Sequence, residues 1–276
     1  MHFSLLQKYQ IKMSESLEIV SRGGSSYENL FDSRKYLDTF YGLDPETQQV
    51  DKESKFVLSF LHRSFISGRI QGENLLEIGA GPSIWHVLSA CENFQKIYLT
   101  DYSKNNLKEI KAWLDAENTA FDWTSYLEYA CELDENKSTA HEKAEKIRKM
   151  VSLLRCDVTQ ANPLCPVELP QMDTLIIASC LICAATNKDD FTAYLKNIVS
   201  LLKPGGYLVM SEYLTASQYV VGDKIFPVLS VDEATVKRAM ADSGCEIEEF
   251  SVFTDFNSQE DFFDSEDIFC LRARKL

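Results

Sequence analysis

Long apolar runs are missing from this chain. None reaches the roughly 18 residues that a membrane span needs. Residues 1–25 show no basic start, apolar stretch and small-residue cleavage site in the order of a secretory leader. Histidine is scarce: the four present (His2, His62, His86, His141) have no zinc-ligand spacing, and no metal is expected. Neither Gly-x-Ser-x-Gly nor His-Glu-x-x-His occurs, so hydrolase chemistry has no foothold. Positive charge is also in short supply, with 28 Lys and Arg against 42 Asp and Glu and a net charge of -14. Such a surface repels phosphate backbones and anionic bilayers, so neither nucleic acid nor membrane is an expected partner. Eight cysteines without a leader read as reduced thiols of a cytoplasmic protein.

What is present suits one α/β domain. The 276 residues are 45% hydrophobic and 11% aromatic, enough for a sizeable core. Residues 1–26, ending in Gly23-Gly24-Ser25-Ser26, read as a flexible arm, and 27–276 as a single domain. Helical patterning over Tyr27–Leu43 and Lys52–Ile66 predicts an N-terminal helical lid within 27–70. Strands are expected at 74–78, 96–100, 151–156, 174–179 and 207–212, and helices at about 82–91, 104–114 and 190–202. Pro204-Gly205-Gly206 reads as a turn. The segment 115–150 reads as an insertion whose charged part, 134–149, is a solvated loop and helix. Alternating strands and helices predict a mostly parallel sheet with helices on both faces. The end of the chain differs: a helix at 231–243 precedes strands at 246–253 and 267–275 with no helix between them, which predicts an antiparallel finish.

Open parallel sheets bind ligands beyond the carboxyl ends of their strands. Gly79-Ala80-Gly81 follows the first of these strands, and its glycines let a backbone approach a ligand. A dinucleotide motif would place a third glycine where Ile84 stands, which weakens the reading as an NAD-type oxidoreductase. Glu77, two residues before the first glycine, makes the turn look like the first motif of S-adenosylmethionine-dependent methyltransferases. A purely structural turn remains the alternative. Asp101 ends the second strand, where a carboxylate can accept both ribose hydroxyls of an adenosine or merely serve the next helix start. Asp157, after the third strand, suits an adenine amino group or a solvated loop. Cys180-x-x-Cys183 lacks a second ligand pair and reads as buried packing.

Longer segments carry a more specific resemblance. They are Tyr36-Leu-Asp-Thr-Phe-Tyr41, Glu77-Ile-Gly-Ala-Gly-Pro-Ser83, Leu88-Ser-Ala-Cys-Glu92, Thr100-Asp-Tyr-Ser103, Ala120-Phe-Asp-Trp123, Cys156-Asp-Val-Thr159 and Leu201-Leu-Lys-Pro-Gly-Gly206. From about Tyr27 onward the chain resembles the nicotinamide, phenylethanolamine and indolethylamine N-methyltransferases. The resemblance implies a Rossmann-like class I methyltransferase with a mostly parallel seven-stranded sheet, an antiparallel C-terminal strand and an N-terminal helical lid. It implies S-adenosyl-L-methionine as cofactor, a small amine or pyridine substrate and a monomeric state. In that frame Tyr36 and Tyr41 would hold the methionine carboxylate, although core packing of a helix is their bland alternative. Gly79, Ala80 and Gly81 would pass under the methionine, with Trp85 where the family has a tyrosine. Asp101 and Asn106 would bind ribose, with Tyr102 beside them. Asp157 and Val158 would meet adenine, and Ala178 would contribute backbone.

The acceptor pocket departs from the family pattern. Glu212 keeps the acid of the fifth strand end, and Tyr219 matches a pocket tyrosine. Ala216 and Val228 stand where the nicotinamide enzyme has serines, and Ile182 replaces another acid. Glu212 is therefore the expected catalytic and main polar substrate contact, with an exposed strand-end carboxylate as its alternative. A protein that binds the cofactor without transferring its methyl group is the other reading these replacements leave open.

Overall fold

The computed structural model describes residues 17–43, 49–66, 68–135, 137–254, 264–265 and 267–276. A two-residue strand, β1 (Glu18–Ile19), leads into helices α1 (Gly24–Leu30), α2 (Ser33–Phe40) and α3 (Lys52–Ile66). Strand β2 (Asn74–Ile78), a 3₁₀ turn at Trp85–Val87, β3 (Lys96–Asp101) and α4 (Lys104–Leu114) follow. Then come α5 (Thr124–Leu133), α6 (Ala140–Met150), β4 (Val151–Arg155), β5 (Met172–Ala178), α7 (Leu181–Ala184), α8 (Lys188–Ser200) and β6 (Leu202–Leu214). The last elements are β7 (Gln218–Val221), β8 (Lys224–Pro227), α9 (Glu233–Asp242), β9 (Cys245–Thr254) and β10 (Asp267–Lys275).

The main sheet has the order β4-β3-β2-β5-β6-β10-β9. Strands β2 to β6 pair parallel, and β10 runs antiparallel to both β6 and β9. Period-two alternation sorts each central strand between two apolar layers. Leu76, Ile78, Leu175, Ile177, Leu208, Met210, Phe269 and Leu271 pack on one side with Phe191, Leu195 and Ile198 of α8 and Val236 and Met240 of α9. Leu75, Ile97, Leu99, Ile176, Val209, Ile268 and Cys270 pack on the other with α3, α4, α5 and α6. Both faces are covered, as a parallel sheet requires.

Several segments depart from their predicted form. The arm is one: residues 1–16 lie outside the described residues, but 17–26 are placed. Glu18 N–H donates to Asp223 O at 3.1 Å and Val20 N–H to Ile225 O at 2.8 Å, and the Val20 side chain is buried in the first apolar layer. Strand addition and one apolar anchor hold what composition reads as loose. The partner of β1 is a small sheet, β1-β8-β7, that the sequence reading did not anticipate. Its signal was present in Val220-Val221-Gly222-Asp223, a β-branched pair before a turn whose glycine has φ of 64°.

The helix expected at 82–91 is reduced to the 3₁₀ turn and further turns with i→i+3 bonds, such as Leu88 N–H to Trp85 O and Ala90 N–H to Val87 O. Residues 82–91 are all buried, so tertiary packing rather than an amphipathic face sets this path. The predicted turn at Pro204–Gly206 is absorbed into β6 as an irregularity, with Met172 paired to Leu202 and Thr174 to Tyr207. Gly206 is needed there because a Cβ would lie 2.9 Å from Asp173 O. The insertion is less solvated than its charge suggests. Lys143 is 1% exposed, and its ammonium bonds Asp134 at 2.7 Å and Leu88 O at 3.4 Å, tying α6 to the core. The segment between β9 and β10 lies mostly outside the described residues.

Phe269 is fully buried on β10 and stacks on Phe250 at 5.0 Å between centroids. Phe269→Ala is expected to destabilise the fold by about 3–5 kcal/mol, read from the urea midpoint. An unchanged midpoint would mean that β10 does not close this layer.

Candidate functional site

Strand order reverses between β2 and β5, and the glycine turn leaves β2 at that point. Gly79 has φ of 68°, and a Cβ on it would sit 2.2 Å from the Cys180 sulfur, so only glycine fits where β2 and β5 exits meet. Ala80 N–H donates to Thr100 O at 2.8 Å, pinning the turn to β3. Gly81 has φ of 61°, and its N–H donates to Asp101 Oδ2 at 2.8 Å. Ile84, where a dinucleotide motif would carry glycine, is fully buried.

Asp101 is the meeting point. Its Oδ1 accepts from Ser103 N–H at 2.7 Å and Asn106 Nδ2 at 3.0 Å. Burial pushes its carboxyl up to about 6, although the Ser103 N–H, the Asn106 amide and the Gly81 N–H all favour the ionised form. Asn106 is fully buried. Its Nδ2 also donates to the Tyr27 hydroxyl at 3.0 Å, and its Oδ1 accepts from Ser33 Oγ at 2.7 Å. The lid helices α1 and α2 thus dock on the Asn106 amide, which in turn holds the carboxylate. Tyr27 escaped the sequence reading; its only signal was an aromatic residue in the lid. The Tyr102 ring lies under α1, where a Cβ on Gly24 would be 2.5 Å from its Cζ, and the Arg155 guanidinium sits 5.2 Å from its centroid.

Tyr36 and Tyr41 face one another, with hydroxyls 3.3 Å apart and ring centroids 5.6 Å apart. Burial holds both phenols up, Tyr41 to about 12, so they remain neutral donors. The Trp85 N–H faces the Tyr41 hydroxyl. Asp157 is half-buried and turned onto its own loop: Oδ1 accepts from Thr159 N–H at 3.0 Å and Thr159 Oγ1 at 2.6 Å, and Oδ2 from Gln160 Nε2 at 3.2 Å. Val158 is buried, and Ala178 closes β5 opposite Ser211 of β6. The structure therefore gathers the glycine turn, Asp101 and Asn106 into one bonded cluster, with the Tyr102 ring under α1 outside it, and Tyr36, Tyr41 and Trp85 into a second. It leaves Asp157 engaged locally.

Glu212, near the end of β6, is fully buried rather than exposed. Its Oε1 accepts from Cys180 N–H at 3.0 Å and Leu181 N–H at 2.8 Å, closing the start of α7. Its Oε2 is buried with no hydrogen-bond partner among the described residues. Burial pushes its carboxyl up to about 8, against the pull of the Leu181, Cys180 and Ile182 N–H groups. Ile182, Ala216 and Val228 are each buried to 2% exposure or less. Tyr219 stacks on Phe226 at 5.3 Å and meets Tyr36 and Phe40 edge-on at 6.4 and 6.3 Å. Burial raises the Cys180 and Cys183 thiols well above their ordinary range, so both stay protonated beside this carboxylate. Among the described residues no group of three or more His, Cys, Asp or Glu side chains is placed to hold a metal ion.

Both buried acids are raised above the ordinary carboxylate range, so ionising them costs the folded state. Their contribution to stability is whole below that range and is lost as pH rises through about 6 for Asp101 and about 8 for Glu212. Glu212→Gln cannot ionise. Its melting temperature relative to the unsubstituted protein should climb as pH rises from about 5 to about 8 and level off above that, and a difference that stays constant over this range would remove the assignment.

A family model described as the NNMT/PNMT/TEMT family matches residues 20–276. Indolethylamine N-methyltransferase of Oryctolagus cuniculus is 41% identical over 232 residues, 82% of this chain and 87% of that protein. Nicotinamide N-methyltransferase of Homo sapiens is 38% identical over 252 residues, 91% of this chain and 95% of that protein. Among solved structures, magnesium protoporphyrin IX methyltransferase of Synechocystis PCC 6803 with bound SAH superposes with a TM-score of 0.55 at 13% identity, over 92% of this chain and 99% of that one. That likeness gives the fold: a class I methyltransferase α/β sheet.

Proposed function

This chain belongs to the NNMT/PNMT/TEMT family, and from that premise we propose that it transfers the methyl group of S-adenosylmethionine to a nitrogen of a small amine or pyridine-type molecule. The observation that carries the reading is the convergence of the Gly79–Gly81 turn and the Asp101 carboxylate. A carboxylate at the exit of the second sheet strand, with an amide from Asn106 beside it, presents the acceptors and donors that a ribose diol needs. Gly79, Ala80 and Gly81 would pass beneath the methionine portion, and the Tyr36 and Tyr41 phenols would donate to its carboxylate. Tyr102, Asp157, Val158 and Ala178 would border the adenosine, for which Asp157 must give up part of its bonding to Thr159 and Gln160. Trp85 would flank the methionine through its contact with Tyr41.

The sulfonium supplies an activated methyl group when bound, so the task left to the protein is alignment. Orientation of a nucleophile can remove roughly 7–11 kcal/mol of a barrier. Glu212 performs it here: one oxygen is locked to the start of α7 and the other is held bare inside an apolar wall. An acceptor N–H would bond that second oxygen and turn the nitrogen lone pair to the methyl group, an ammonium first giving up one proton through Glu212 to water. Ile182, Ala216, Val228 and Tyr219 would shape the wall. The same apolar lining supports a second reading, cofactor binding without transfer. A monomer acting in the cytoplasm on a small-molecule partner completes the proposal. No helix among the described residues is long and apolar enough to cross a membrane.

Asp101→Asn should weaken S-adenosylhomocysteine binding about 10–100-fold by calorimetry, since hydrogen bonds to an ionised carboxylate contribute about 1.5–3 kcal/mol. Unchanged affinity would separate Asp101 from the adenosyl group. Transfer from labelled S-adenosylmethionine to a panel of pyridines and arylalkylamines tests the reaction. Product formation that falls about tenfold or more in Glu212→Gln, at unaltered S-adenosylhomocysteine affinity, is the expected pattern. Binding with no product across the panel would favour the second reading.

A further inference from the structure

Glu212, Ile182, Ala216 and Val228 are each 2% exposed or less. An acceptor therefore reaches the bare oxygen only if a covering segment shifts. Three segments converge on this wall: α7, the β7–β8 hairpin and the strand-forming stretch 17–22. They are joined by few bonds. Between the hairpin and α7, Leu229 N–H donates to Ile182 O at 2.8 Å, while Val228 N–H bonds Ser217 O within the hairpin at 2.8 Å. The stretch 17–22 adds the two register pairs of β1 with β8 and an ion pair of Glu18 with Lys224 at 2.8 Å.

Arg22 crosses this junction. One arm of its guanidinium donates to Ala185 O at 3.1 Å and the other to Val228 O. Ala185 is the C-terminal cap of α7, whose first amides are held by Glu212. Arg22 and Glu212 thus grip opposite ends of one helical turn, a guanidinium at its carbonyl end and a carboxyl oxygen at its amide end. A planar fork with donors on two edges can bridge two carbonyls at once, which a lysine ammonium on a single flexible stem does less well.

Resting on Glu212 as the acceptor contact, we propose that Arg22 is a positioning residue for the acceptor: it fastens the 17–22 strap and the β7–β8 hairpin to α7 and so sets the wall made by Ile182, Ala216 and Val228. Opening of this clasp admits the acceptor, and its closing holds the nitrogen in line. Arg22 touches neither cofactor nor reacting atoms, so its effect falls on the acceptor alone.

Arg22→Ala, Arg22→Lys and the unsubstituted protein would be compared with tryptamine and nicotinamide as acceptors, by S-adenosylhomocysteine calorimetry, and by backbone hydrogen exchange over residues 215–229. Arg22→Ala should raise acceptor KM about five- to tenfold, the size of losing one or two hydrogen bonds, with cofactor affinity unchanged. Exchange at Val228 and Leu229 should quicken, and Arg22→Lys should recover part of both effects. Acceptor KM and exchange that stay as in the unsubstituted protein would overturn the proposal, as would parallel losses of cofactor affinity and melting temperature. If the unsubstituted protein methylates neither probe, the transfer reading fails for them, while the exchange data still decide whether Arg22 holds the wall.

Discussion

A carboxylate removed from water must be given donors, and Asp101 is where this chain meets that demand. An unpaired buried charge costs several kcal/mol, so the segments around Asp101 are constrained to supply hydrogen bonds. Gly81 supplies one from the β2 turn, Ser103 one from the β3 exit and Asn106 one from α4. Asn106 then passes the constraint outward to Ser33 and Tyr27. Asp101 and Asn106 together locate the β2 turn, the start of α4 and the lid helices α1 and α2 relative to one another. The same donors and acceptors are those a sugar diol would exchange, so the scaffold and the binding surface share one set of polar atoms.

Glu212 obeys a related rule with a different outcome. Its first oxygen is satisfied by two main-chain amides, which fixes the carboxyl group, and its second is not satisfied at all. A buried polar atom without a partner costs about 1–3 kcal/mol, a standing strain that an arriving polar group relieves. The apolar neighbours Ile182, Ala216 and Val228 cannot relieve it, which concentrates recognition on one atom and leaves shape and aromatic contact to do the rest. In the proposed function, cofactor recognition would be polar and distributed, and acceptor recognition nearly all apolar with one polar point.

Much of this was legible before any coordinates. The β2 strand, the glycine turn and Asp101 could be located because a parallel sheet concentrates apolar runs and places its special residues at strand exits. β10 was legible to the residue because its ends are marked by polar sequence. The failures have physical reasons. Residues 82–91 open on a proline that suits a helix start and are mostly apolar, but burial on every side overrode local preference. Val220–Phe226 is a hairpin too short to stand out by periodicity. Residues 17–22 look loose because their order comes from a partner strand two hundred residues away. Glu212 was expected to point at a pocket, and nothing in linear sequence could reveal that half of it is committed to amides 31 and 32 positions earlier.

Strand β10 lies between β6 and β9 although it follows both along the chain. A polypeptide emerging from the ribosome therefore presents β9 before the only strand that can join it to the sheet. Until residues 267–275 arrive, the outer edge of β6 stays open and β9 has nothing to pair with. Cotranslational assembly can complete the half of the sheet that holds Gly81 and Asp101 early. The half that supports Glu212 waits for the final strand, so a nascent chain acquires the side carrying Asp101 before the side carrying Glu212.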